Sequence, residues 1–192
     1  MAPRQAFYRA SAILLLAVAA LAQKEVPGNS KEPPQMLMTN EGLIAIDAPE
    51  GWVRSEGPGL AAFLRKSDGD SQSAEVLIYI NTSSTDPKQG VEDFIKQDVE
   101  GFRARFKKAA IKEEAPIKLA HVKGQMRVWT FQSGEQFSAF ERLAYAGEAD
   151  RVLILALSAK RKALFEESLP AFEEFVRSYR GSIWFGPDAK KP

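Results

Sequence analysis

An α+β fold with a largely antiparallel sheet is the architecture this chain predicts, and three observations carry it. Strand-like segments come in runs instead of alternating strictly with helices. Two of them, Val76–Ile80 and Val152–Leu157, are apolar on both faces, as central strands covered on each side are. Two further stretches carry apolar residues at helical spacing and can supply that cover.

Four early segments read as extended: Leu43–Ile46, Trp52–Arg54, Leu60–Arg65 and Glu75–Asn81. Pro49, Glu50 and Gly51 make the turn before Trp52, and Ser67-Asp68-Gly69-Asp70-Ser71 is a loop signal. The period then changes. Val91, Phe94, Ile95, Val99, Phe102 and Phe106 fall on one helical face. Asp86 before Pro87 predicts the start of that helix, the carboxylate capping free amides and the proline preset for a first turn. A second block of strands covers Ile111–Glu114 and Ile117–Val122, divided at Pro116, then Gln125–Gln132, Gln136–Ala146 and Arg151–Ser158. Ser133-Gly134-Glu135 reads as a hairpin turn. Phe165, Leu169, Phe172, Val176 and Tyr179 form the stripe of a closing helix. Pro170 lies within it and predicts a kink or break, with Ser168 restarting the helix as a cap.

The termini suggest a compartment. Arg4 and Arg9 precede an apolar run of 13 residues, Ala10 to Ala22, that ends Ala20-Leu21-Ala22. This is the layout of a secretory signal peptide, with cleavage expected between Ala22 and Gln23. An uncleaved anchor is the rival, but spanning a bilayer takes about 20 residues. The expected product is exported, periplasmic or extracellular. Residues 23–35, rich in proline and small polar residues, read as a disordered leader, 36–185 as one globular domain, and 186–192 as a polar tail.

Composition removes several kinds of chemistry. The chain holds 26 Lys+Arg against 25 Asp+Glu, and residues 1–22 contain two of the arginines and no acid. A balance so near zero gives no general attraction to nucleic acid or anionic membrane. The absence of cysteine rules out disulfides, lipid attachment at a cysteine, thiol catalysis and thiolate metal sites. No later segment is apolar for long enough to span a membrane.

Two motifs carry a family likeness. Ile44-Ala45-Ile46-Asp47-Ala48-Pro49-Glu50-Gly51-Trp52 resembles the opening of PsbP-like domains, an apolar strand running into Pro-x-Gly-Trp. Phe172-Glu173-Glu174-Phe175-Val176-Arg177-Ser178-Tyr179 is similar to their closing helix. The resemblance covers roughly residues 38–182. It implies a three-layer α/β/α sandwich around an antiparallel sheet. The group includes a photosystem II extrinsic subunit, DcrB-like bacterial envelope proteins and a Ran-binding import factor. These roles differ, so the likeness implies a fold and assigns no site residue.

Candidate sites are few. His121, the single histidine, lacks the G-x-S-x-G elbow that would present a serine to it, and reads as an edge-strand residue. Asp68-Gly69-Asp70-Ser71 lacks the bidentate glutamate and mid-loop glycine of a calcium loop. Glu113-Glu114 and Glu166-Glu167 are sequence neighbours that point apart, unlike the facing acids of general acid–base pairs. What stands out is positive charge. Arg103, Arg105, Lys107, Lys108 and Lys112 form one cluster at the end of the first helix. Lys160, Arg161 and Lys162 form another at the start of the second, where cations oppose the helix dipole. Trp129, Phe131, Phe137, Phe140 and Tyr145 crowd one hairpin and should be mostly core.

The expected function is therefore non-enzymatic: binding of a protein or other cell-envelope component, with no cofactor and no metal, through one or both basic clusters. The alternatives are a hydrolase with a dispersed carboxylate site and a carrier of a small apolar ligand.

Overall fold

The computed structural model describes residues 35–39, 41–57, 60–65, 74–85, 89–134, 139–148 and 151–184. The signal segment, the tail from 186, Asp68–Ser71, Asp86, Pro87 and Phe137 lie outside them, as does all of the expected leader except Gln35.

Among the described residues, ten strands and two helices follow in the order β1 (Gln35–Met38), β2 (Gly42–Ile46), β3 (Trp52–Gly57), β4 (Leu60–Arg65), β5 (Val76–Ser84), α1 (Val91–Arg105), β6 (Ala110–Lys118), β7 (Gln125–Gln132), β8 (Phe140–Glu148), β9 (Arg151–Ala159), α2 (Lys162–Arg177) and β10 (Gly181–Trp184). Seven strands form one sheet in the order β3-β4-β5-β9-β8-β7-β6, and three form a second in the order β1-β2-β10. Every pairing is antiparallel. The fold is α+β, as the runs of strands predict.

Alternation in the central strands divides the core. Ile78, Ile80, Leu153, Leu155 and Leu157 pack with Phe172, Phe175 and Val176 of α2 and with Leu37, Ile44 and Ile46 of the small sheet. Ala156, Ile154, Val152, Leu143 and Tyr145 point the other way and pack under Ile95, Val99 and Phe102 of α1. Ring contacts hold each side, Phe63 edge-on to Phe175 at 5.2 Å and Phe102 tilted against Phe131 at 5.1 Å between centroids.

The two motifs quoted above meet in space. The Asp47 N–H donates to Ser178 Oγ at 3.1 Å, and that hydroxyl donates to the Phe175 carbonyl at 2.8 Å. Arg180 pairs with Asp47 at 2.8 Å. Trp52, 5% exposed, sits in the same core as Phe172 and Tyr179. Gly51, at φ 78°, makes the left-handed turn that brings Trp52 back over the sheet.

A partly buried carboxylate fixes the small sheet. Glu148 at the end of β8 accepts hydrogen bonds from the Tyr179 and Ser182 hydroxyls and from Trp184 Nε1. Arg151 pairs with Glu41 at 2.9 Å and lies 5.4 Å from the centre of the Trp184 ring. Strand β10 is thus tied to the β8–β9 turn, and Leu37, Ile44 and Ile46 face inward.

The structure corrects several boundaries. Helix α1 begins at Val91 with Gly90 as its cap, five residues after Asp86, and has no side-chain cap. Gln35 belongs to β1 instead of the leader. Residues 110–118 form one strand; the register shifts between Glu114 and Ile117, so the edge strand absorbs Pro116 at a bulge. His121 lies in the β6–β7 connection, exposed, with Nδ1 3.3 Å from Arg180, and is not a strand residue.

Helix α2 runs through Pro170 without a break. Buried Phe165 on one side and Phe172, Phe175 and Val176 on the other hold both halves against the sheet, and this packing outweighs the missing amide donor. Ser168 is accordingly no cap. It is 3% exposed and its hydroxyl has no hydrogen-bond partner among the described residues. Ser168→Ala is therefore expected to stabilise the domain by about 1 kcal/mol, by removing an unpaired buried hydroxyl and favouring helix. A lower unfolding midpoint in urea would show that the hydroxyl is bonded.

Candidate functional site

The two basic clusters, 50 residues apart in sequence, come to the same end of the seven-stranded sheet. Residue pairings show it directly: Ala110 opposes Gln132, Gln132 opposes Phe140, and Phe140 opposes Ala159. Lys107 and Lys108 lie just before β6, separated from it by Ala109, and Lys160 and Arg161 immediately follow β9. Three strand spacings separate the two positions, about 14 Å at roughly 4.8 Å each. Gly134 explains the placement of the first pair. A Cβ there would meet the Lys108 carbonyl oxygen at 2.3 Å, so the segment after α1 lies directly against the end of β7.

The eight cations do not share one environment. Arg103 and Arg105 occupy the last turn of α1, where positive charge complements the carbonyl end of the helix. Arg105 also lies 5.2 Å from the centre of the Phe106 ring. Arg161 pairs with Glu75, and Lys162 pairs with Glu166 at 3.5 Å. Lys112 is two residues into β6 and pairs with Glu114 at 2.9 Å, so it stands apart from the rim. Lys107, Lys108 and Lys160 are exposed and have no carboxylate partner among the described residues. These three, with Arg103 and the paired Arg161, make the basic rim.

Beneath α1, close to this rim, lies a second cluster. Glu141 on β8 is 6% exposed and faces α1 beside Asp98. Burial first, and the Asp98 charge second, push its carboxyl up to about 7, against the opposing pull of Arg105 and a hydrogen bond from Ser158. The Tyr145 hydroxyl donates to Asp98 Oδ2 at 2.6 Å. Burial also pushes the Tyr79 and Tyr145 hydroxyls upward, and the neighbouring acids add to this, so both stay neutral donors. A carboxyl raised to about 7 thus sits beside a second acid, Asp98, an arrangement able to hold or pass a proton near neutral pH.

Sequence reasoning missed this pair, although two signals were present. Asp98 falls on the Phe94–Ile95–Val99–Phe102 stripe of α1, where an apolar residue is the norm. Glu141 and Arg142 are adjacent in a strand covered on both faces, so each must point into a covered layer. Arg142 points toward α2 and pairs with Glu173 at 3.3 Å. Glu113 and Glu114 do point apart: the first bonds Arg127 and the second Lys112. Of the hairpin aromatics, Phe131 and Tyr145 are each 1% exposed, while Trp129 and Phe140 are partly buried.

No protein-family model matches this chain, and no curated protein matches it in sequence. Among the described residues no helix is long and apolar enough to cross a membrane.

Proposed function

We propose that the chain is an exported, non-catalytic binding domain of the PsbP-like kind, a three-layer α/β/α sandwich whose basic rim docks an acidic face of a protein or other envelope component. The joining of Lys107 and Lys108 with Lys160 and Arg161 at one end of the sheet carries this reading. Exposed cations held about 14 Å apart by strand spacing present a fixed pattern to a complementary surface, and such patterns steer and orient binding. The contact between the Ile44–Trp52 and Phe172–Tyr179 motifs supports the family reading. The signal-like segment supports export, with processing between Ala22 and Gln23.

Capture of envelope components by the protein is the test. Reversing Lys107, Lys108 and Lys160 to glutamate should weaken capture at least tenfold while leaving the unfolding midpoint close to wild type. Wild-type capture should also fall with added salt, since exposed charges are screened beyond about 8 Å at physiological ionic strength. Arg105 is left in place because its charge acts on Glu141. Capture unchanged by the reversal would remove the rim from the reading.

The Asp98–Glu141 pair favours a second reading, a hydrolase working through two carboxyl groups. Glu141 is covered by α1, so a substrate would reach it only if that helix moved. Turnover lost in both Asp98→Asn and Glu141→Gln, with the fold retained, would replace the binding reading with this one.

A further inference from the structure

The large apolar side chains that stay exposed among the described residues are Met36, Met38 and Ile183, at 46%, 51% and 61%. All three lie on one face of the three-stranded sheet. Met38 opposes Leu43, and Leu43 opposes Ile183, so these form a row across all three strands. Met36, Ala45 and Gly181 form the next row. Neither row contains a charged or hydrogen-bonding side chain. The inner face is already filled by Leu37, Ile44 and Ile46 against the main core. An uncharged, methionine-rich outer face is therefore held open by the Glu148 hydrogen bonds that orient the sheet.

Its dimensions bear on what covers it. Three strands about 4.8 Å apart and four residues long at about 3.4 Å each present roughly 200 Å². A stable interface between free partners needs about 800 Å² from each. The face is too small to hold a second copy by itself, but large enough for a segment already tethered beside it. Such a segment exists. The apolar run Ala10–Ala22 ends twelve residues before β1. Twelve residues reach at most about 40 Å, and a short flexible tether gives an effective concentration in the millimolar range. Thirteen residues are long enough in any regular conformation to cross three strands, about 14 Å. Methionine side chains adapt to irregular apolar surfaces.

We propose that the outer face of the three-stranded sheet is the seat of the chain's own apolar segment, Ala10–Ala22, in the uncleaved protein, and that Met36, Met38 and Ile183 become accessible when that segment leaves. The sheet thus shields the run while it is attached. The proposal concerns the uncleaved chain and does not depend on the basic rim or its partner.

Methionine oxidation tests it. The purified full-length chain is treated with peroxide, and oxidation of Met36 and Met38 is followed by peptide mass spectrometry, with the fully buried Met126 reporting on the fold. The comparison is the full-length variant carrying Leu14→Asp, Leu15→Asp and Leu16→Asp, whose run cannot settle on an apolar face. Met36 and Met38 should oxidise at least about fivefold faster in that variant, at every protein concentration, with Met126 protected in both. Equal rates in the two chains would overturn the proposal. Protection that grows with protein concentration would assign the face to a second copy instead, and protection seen only with phosphatidylcholine vesicles would assign it to a bilayer. A photocrosslinker at Leu15 gives an independent measurement: intramolecular crosslinks to β1 or β10 are expected, and crosslinks elsewhere would also overturn the proposal.

Discussion

Replacing Trp52 with alanine is expected to lower the stability of the domain by about 3–5 kcal/mol, the usual cost of truncating a large core aromatic. The residue is 5% exposed, at the start of β3, and packs in the core that includes the end of α2. Loss of the indole leaves a cavity in a region where the 44–52 and 172–179 segments lock together through Ser178 and Asp47, so little collapse can fill it. Domains are typically stable by only about 5–15 kcal/mol, so the change should remove a large part of the total. The melting temperature should fall by on the order of 10 °C. Trp52→Phe, which keeps an aromatic ring, should cost distinctly less. Equilibrium denaturation in urea measures both, and a midpoint for Trp52→Ala within error of wild type would show that the ring contributes nothing to the core.

A pH dependence that runs against the ordinary carboxylate pattern is the second large effect. The Glu141 carboxyl is raised from 4.5 to about 7 in the folded protein. Between these values the unfolded chain has released its proton and the folded chain has kept it, so stability falls as pH rises. The favourable contribution is fully present below pH 4.5 and is lost as pH passes through about 7. The accumulated loss is about 3 kcal/mol, at roughly 1.4 kcal/mol per pKa unit. Above that pH the carboxylate is buried beside Asp98, with Arg105 and Ser158 compensating only in part. Glu141→Gln keeps the shape and a hydrogen-bonding group but cannot ionise. It should match wild type near pH 4.5 and exceed it by about 3 kcal/mol at pH 8, flattening the difference curve between. Parallel stability curves for wild type and variant would refute the raised carboxyl. Asp98→Asn should move this fall toward lower pH and make it smaller, because taking away the neighbouring negative charge lets Glu141 ionise more easily.

Much of the fold was legible because its signals are local. Apolar residues on both faces of Val76–Ile80 and Val152–Leu157 marked central strands, and these are β5 and β9, neighbours at the middle of the larger sheet. The spacing of Phe94, Ile95, Val99 and Phe102, and of Phe165, Phe172 and Val176, marked the two buried helix faces. Trp52 after its glycine turn was legible as core. Local signals also misled where tertiary packing overrides them. Pro170 breaks an isolated helix, but α2 is held on both sides of it by buried side chains. Pro116 reads as a strand end, but an edge strand tolerates it at a bulge.

The rest was decided by pairings between residues far apart in the chain. Strands β1 and β10 are four residues each and come from opposite ends of the domain; neither is long enough to show a period, and both exist because β2 lies between them. The two basic clusters meet because β6, β7, β8 and β9 are in antiparallel register, which no composition or spacing reveals. Asp98 and Glu141 are 43 residues apart and are brought together by the packing of α1 on β8. Periodicity records which face of an element is apolar, while a site depends on which faces meet, and that is set by the free energy of the whole packed chain.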